Sequence, residues 1–220
     1  MPSHPSPRHS ASSRERLLDA AKRLFAAQGY EQSATSAIAR EAGTSESQLM
    51  RYFGGKVGLL EALFEEAWTH LNARIEKAIS SADDNRQALV EGIDALVAVL
   101  ARDNDLAILL LFEGRRVRGD EPRIRLPRGF IHFATTIRDL VRKGQATREF
   151  DAALDPNAIT SALVGAIEGM VRDRLLARSG TTRGFREREI ARTLEGMLDG
   201  FASGPGRRAG RAPTARRAGR

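Results

Sequence analysis

The chain has 220 residues, 41% of them hydrophobic, and no cysteine, so it can build one large domain or two small ones but neither a disulfide nor a thiolate metal site. Its net charge of +7 sits at the ends: residues 205–220 carry six arginines and no acid, residues 1–12 carry one arginine and no acid, and residues 13–204 are neutral, so the high pI of the whole is no evidence for a nucleic-acid partner. The opening MPSHPSPRHSASS has no apolar core of a secretory signal, and no apolar run approaches the ~20 residues that span a bilayer, which excludes a membrane span and points to the cytoplasm.

Helical periodicity runs nearly throughout and strand-type alternation is absent, so the expected fold is all-α with about nine helices. The first helix covers residues 14–28, with Ser12 and Glu15 as a capping box, Leu17, Ala21, Leu24 and Phe25 as its apolar stripe and Gly29 as its stop. Ser33 is positioned to cap a short second helix, residues 34–42, which Gly43 ends. Ser45 and Gln48 repeat the capping-box pattern for a third helix ending near Phe53. After Gly54-Gly55 a long fourth helix covers residues 57–80, and a fifth covers 85–101. A sixth is expected over residues 106–113, within the apolar run LAILLLF.

The connection from Arg115 to Arg128 carries six arginines beside Asp120 and Glu121 and is broken by Gly119, Pro122 and Pro127. Helix seven is expected over residues 130–144. Helix eight begins at Pro156, where proline suits a first helical turn, and runs to about residue 178. Helix nine covers 185–201. The tail GPGRRAGRAPTARRAGR has no apolar face and reads as disordered; it either adds salt-dependent DNA affinity or is merely solvated. The resulting division is a disordered arm (1–12), a DNA-binding domain (13–56), a helical effector and dimerisation domain (57–203) and a disordered basic tail (204–220).

The stretch EAGTSESQLMRYFGGK, residues 41–56, carries the chemistry. Two short helices joined at Gly43 form a helix-turn-helix, whose second helix enters a DNA major groove. Glu46, Ser47, Gln48 and Arg51 then face the bases: Gln pairs with adenine, Arg with guanine, and Glu accepts from the cytosine amine. Tyr52 and Lys56 suit phosphates, as does the N-terminus of helix four, and Thr35 and Ser36 reach the flanking phosphate.

Residues 14–60, with LLDAAKRLFAAQGY, IAREAGTS and LMRYFGGKVGLL, resemble the DNA-binding domain of the TetR (tetracycline repressor) family. The resemblance implies DNA contacts by Thr35, Ser36, Ser45, Ser47, Gln48, Arg51, Tyr52 and Lys56. Two positions depart from the family pattern: Met50 stands where a tyrosine usually touches the backbone, and Gly54-Gly55 where Pro-Ser is common. The family also implies a homodimer formed by helices eight and nine, which places Ala162, Gly165, Ala166, Gly169, Ile190, Leu194, Met197, Leu198 and Phe201 at the interface; the same periodicity fits an intramolecular core. Helices four to seven would enclose a small-molecule pocket, with Trp68, Leu71, Phe112, Phe133 and Ile137 as lining and His70, His132 and Thr136 as polar contacts. The four histidines have no metal-ligand spacing, and no metal or other cofactor is expected. No nucleophile elbow, P-loop, dinucleotide or zinc motif is present, so an enzyme is not expected. The expected function is a ligand-responsive regulator, a repressor that binds a palindromic double-stranded operator as a homodimer and is released by an unidentified small molecule. The alternative is a DNA-binding dimer controlled by a protein partner.

Overall fold

The computed structural model describes residues 11–113, 126–177, 180 and 183–202. Residues 1–10 of the expected arm (1–12), most of the arginine-rich connection and the basic tail lie outside them, and Ser12 of that arm is the ordered cap of α1. Among the described residues the chain is all-α: α1 Ser13–Gln28, α2 Thr35–Glu41, α3 Glu46–Phe53, α4 Lys56–Ile79, α5 Asn85–Arg102, α6 Asn104–Ile108, α7 Arg128–Ala146, α8 Pro156–Ala177 and α9 Glu187–Phe201. The only extended pairing among them is an isolated bridge between Phe150 and Ala202.

Helix ends follow the chemistry of their caps. At Ser12 the hydroxyl accepts from Glu15 N at 3.2 Å while Ser12 N donates to the Glu15 carboxylate at 2.7 Å, so the capping box closes in both directions. Ser33 does not cap α2. Its side chain is buried and donates to Gly29 O at 2.8 Å, tightening the α1–α2 corner, and Ala34 stands at the cap without a side-chain bond. Ser45 caps α3 by accepting from Gln48 N at 3.2 Å, but only half of the expected box forms, because the Gln48 carbonyl accepts from Arg51 instead.

The expected sixth helix is divided. A five-residue α6 is followed by a π-helical turn, Leu109–Glu113. Asp103 both ends α5 and caps α6, its carboxylate accepting from Leu106 N at 3.0 Å.

Two apolar cores result. One joins α1, α2 and α3 to Leu59, Leu60, Leu63 and Phe64 of α4 and to Leu109. The other fills the space between the later part of α4, from Trp68 onward, and α5, α7, α8 and α9. Helix α4 thus serves both, its first two turns in the head and the remainder in the body. Gly129 of α7 lies directly against Trp68; a Cβ there would stand 2.2 Å from the Trp68 Cβ. The α4–α7 contact therefore depends on a missing side chain.

Candidate nucleic-acid interface and ligand slot

The α2–α3 corner is made by Gly43, whose φ of +61° is open to glycine at little cost. From there α3 runs with Leu49 fully buried and Phe53 half-buried against the head's core, four residues apart on one face. This anchorage leaves Glu46, Ser47, Met50 and Arg51 exposed on the other. The polar side chains are already ordered by each other. Thr35 donates to Glu46 at 2.6 Å across the α2–α3 corner, and Arg51 donates to the Gln48 carbonyl at 2.8 Å and to the Tyr52 hydroxyl at 3.3 Å. The Arg51 guanidinium also lies 5.1 Å from the Tyr52 ring centroid, which restricts a long side chain on the face expected to meet bases.

Lys56 is placed differently from a freely extended phosphate ligand. Its ammonium donates to Tyr30 O at 3.0 Å and Glu31 O at 3.3 Å and sits 4.4 Å from the Tyr30 ring centroid, so it holds the α1–α2 loop to the start of α4. Ser36, Ser45 and Ser47 are exposed, and Thr35 is half-buried beside Glu46. Met50 is 54% exposed, so an apolar, flexible side chain stands on this face.

A residue that the sequence reading passed over governs this junction. A Cβ on Gly58 would stand 1.9 Å from Phe53 O, so the first turn of α4 closes onto the end of α3 only because residue 58 has no side chain. Gly54 and Gly55, with φ of +69° and +129°, supply the reversal, and Gly54 N donates to Met50 O at 2.8 Å.

Within the body, an apolar slot is lined by Trp68, Leu96, Leu100, Leu110, Leu111, Leu126, Pro127, Phe130, Phe133, Val164, Ile167, Glu168 and Val171. It holds about 50 Å³ of space for a water-sized occupant, within about 600 Å³ of unfilled volume once the mouth is included. The smaller figure counts only the space that the centre of a water-sized occupant can reach, so the slot is tight as it stands. Trp68, Phe130 and Phe133 form a mutually packed trio with ring centroids 5.5 to 6.4 Å apart.

Of the eight expected pocket residues, Trp68 and Phe133 line the slot. Leu71 and Ile137 are buried in the same core but off its wall. Phe112 is 37% exposed and does not line the slot. His132 is exposed and lies 2.8 Å from the Glu76 carboxylate, while Thr136 donates to His132 O, so both serve the surface of α7. His70 and Leu71 face a separate groove between α1, α4 and the end of α5. Helix α8 adds Val164, Ile167, Glu168 and Val171 to the wall, and the spacing of its apolar positions in the sequence fits an ordinary core equally well.

The expected interface residues divide in the same way. Ile190, Leu194 and Leu198 are at most 1% exposed within the single chain, so they are core residues with no surface left for a partner. Met197 and Phe201 are half-buried against that core. Ala162 and Gly165 are exposed, and Ala166 and Gly169 are half-exposed. A Cβ at Gly165, or at Gly196 or Gly200 of α9, would meet nothing within 4 Å. Among the described residues no His, Cys, Asp and Glu group has metal-site geometry and no helix is long and apolar enough to cross a membrane.

Comparison with known proteins gives concordant findings. The chain is 27% identical over 155 residues to the fatty acid metabolism regulator protein of Bacillus subtilis, covering 70% of this chain and 79% of that protein. It is 26% identical over 157 residues to the nucleoid occlusion factor SlmA of Vibrio cholerae, covering 71% and 80%. The structure of the transcriptional regulator FadR from Bacillus subtilis in complex with stearoyl-CoA has the same fold, with a TM-score of 0.75, 22% identity and coverage of 83% of this chain and 96% of that one. Residues 17–63, which hold α1, the helix-turn-helix and the first turns of α4, match the model of the bacterial regulatory proteins of the tetR family. With its head, its glycine-built corner and its helical body accounted for, the chain carries at residues 17–63 the DNA-binding region of the bacterial regulatory proteins of the tetR family, on a fold shared with the FadR regulators.

Proposed function

We propose that this protein is a homodimeric repressor that releases a palindromic operator when a slender apolar molecule enters the slot. The observation that carries the reading is the double duty of α4. Trp68 forms one slot wall, and three turns earlier the same helix begins at the Gly54–Gly55 reversal that ends the base-reading helix. An occupant that separates Trp68 from Phe130 and Phe133 displaces α4, and with it the spacing of two heads in a dimer. The ligand needs only to bind the displaced state more tightly than the DNA-competent one.

The head (13–56) reads DNA through Gln48 and Arg51, with Ser47 and Tyr52 beside them and Thr35, Ser36, Ser45 and Lys56 nearer the backbone. The body (57–203) holds the ligand and pairs through the open side of α8 and α9. A long-chain acyl thioester fits the slot in character, since the FadR structure was solved with stearoyl-CoA and the wall is almost wholly apolar. A second reading, a DNA-binding dimer controlled by a protein partner, is favoured by the narrowness of the closed slot.

The test is a duplex selected by the purified protein from a random-sequence pool, followed by titration with stearoyl-CoA and with shorter acyl-CoAs. Selection of an inverted repeat and its release by acyl-CoA supports the proposal. Selection of a repeat from which no apolar ligand releases the protein favours the second reading.

A further inference from the structure

The groove that takes His70 and Leu71 runs along a side of α4 other than the one that carries Trp68. Helix α1 forms one flank, and the end of α5 with the start of α6 forms the other. The space open to the centre of a water-sized occupant is about 500 Å³ there, against about 50 Å³ in the slot. Sites for drug-sized molecules span roughly 300–1,000 Å³, so the groove is roomy enough to hold one as it stands. Its floor is apolar. Leu63 and Leu71 are buried, while Ala67 and Val99 are only half-buried and present carbon to the groove.

The charges around this floor are not equally available. Lys22 and Asp103 are engaged with each other at 2.8 Å, and Glu66 is held by Arg14 at 3.1 Å. His70 and Arg74, one helical turn apart on α4, and Arg102, in the last turn of α5, are exposed and make no hydrogen bond or ion pair among the described residues. The one acid of the groove left in the same condition is Asp19 of α1. By residue count the lining is balanced, but by free groups it is cationic: two guanidinium groups and an imidazole face a single carboxylate.

We propose that this groove is a second ligand site, distinct from the slot, for a compact lipophilic monocarboxylate. The apolar body covers Ala67 and Val99. The carboxylate head accepts from the Arg74 and Arg102 forks, whose planar N–H pairs match its geometry and whose weak hydration makes them easy to bury, and the His70 ring supplies a further N–H. The head carries one charge and not two because Asp19 stands on the α1 flank, where a second negative charge meets repulsion. A cationic amphiphile has Asp19 alone for a partner and two guanidinium groups against it. His70 and Leu71, which the sequence marks as contacts of a ligand, then serve this site and not the slot.

The experiment is equilibrium dialysis of labelled octanoate against the full chain, with octylammonium as the cationic counterpart of the same apolar body. Octanoate is expected to bind at one site per chain, and octylammonium is expected not to displace it. Arg74→Glu and Arg102→Glu should each weaken octanoate binding by about tenfold or more, the order expected when a charged hydrogen-bond partner is lost. Both side chains are exposed and unpaired, so thermal melting of these variants should match wild type. Asp19→Asn removes the opposing charge and should tighten binding by about two- to fivefold, the order of one solvent-screened charge. A gain of this kind separates recognition of the anion from general damage to the protein.

Val164→Phe fills the slot from α8 and is expected to leave octanoate binding unchanged. Octanoate that fails to bind at millimolar concentration overturns the site, as does octanoate that binds both arginine variants as it binds wild type. Binding that survives both arginine reversals but is lost in Val164→Phe places the acid in the slot, which also overturns the groove while leaving the effector reading standing.

Discussion

Arg51 shows how much a single side chain is asked to do. Its fork is pre-oriented by the Gln48 carbonyl and the Tyr52 ring, so little rotamer freedom remains to be lost on DNA. Arg51→Ala should weaken binding to the selected duplex by about 1–3 kcal/mol and relax the preference at one base pair per half-site. Competition among singly substituted duplexes measures this; uniform weakening at every position would make Arg51 a phosphate contact. Gly58 makes the opposite point, that an absent side chain can be decisive. Gly58→Ala sets a Cβ 1.9 Å from a backbone carbonyl, where no rotamer offers relief, and should cost about 2 kcal/mol or more of head stability. A melting curve unchanged from wild type would contradict the tight α3–α4 junction. The sequence displays the polar face of α3 openly, through residue type and spacing. It cannot display the need for glycine at 58, because that need arises from a carbonyl brought close by the turn.

At the level of elements, the helices are legible wherever caps and apolar stripes act locally, as at Ser12–Glu15 and at Gly43. Legibility fails where tertiary contacts compete. Ser33 has the right chemistry for a cap, but its side chain is buried and the Gly29 carbonyl takes its hydroxyl. The π turn interrupts an apolar run whose composition is equally good for α. The Lys22–Asp103 bond between α1 and the α5–α6 corner offers a test at this scale. Burial pushes the Asp103 carboxyl up, but the Lys22 hydrogen bond, the Leu106 N–H and the Lys22 charge outweigh it and hold the group below its ordinary value. The bond's contribution is therefore fully present above the ordinary aspartate pKa of about 3.9 and is lost as pH falls through the lower folded value. Asp103→Asn should cost up to about 1 kcal/mol at pH 7, since both partners are partly solvated, and nothing once the wild-type carboxyl is protonated. Stability measured by urea unfolding at pH 7 and below pH 3 decides it; a gap that persists at low pH would mean that the charge is irrelevant.

For the whole molecule, the sequence does not reveal how the body partitions its apolar faces. A helix with apolar residues on one side and small residues on another looks the same whether the apolar side meets its own chain or a second copy. The structure gives Ile190, Leu194 and Leu198 to the chain's own core and leaves the glycines of α8 and α9 open. This separates assembly from folding experimentally. At Gly196 a new side chain meets nothing within 4 Å, and replacing a helical glycine removes a penalty of about 1 kcal/mol. Gly196→Arg should therefore melt no lower than wild type as an isolated chain. In a dimer paired through that side, the same arginine is forced against a close-packed neighbour together with its own symmetry copy, an isologous clash that counts twice. The expected result is a folded monomer by sedimentation, with operator affinity reduced by two orders of magnitude or more because each head then binds its half-site alone. A Gly196→Arg protein that remains dimeric and binds DNA as wild type would place the two-fold axis elsewhere on the body.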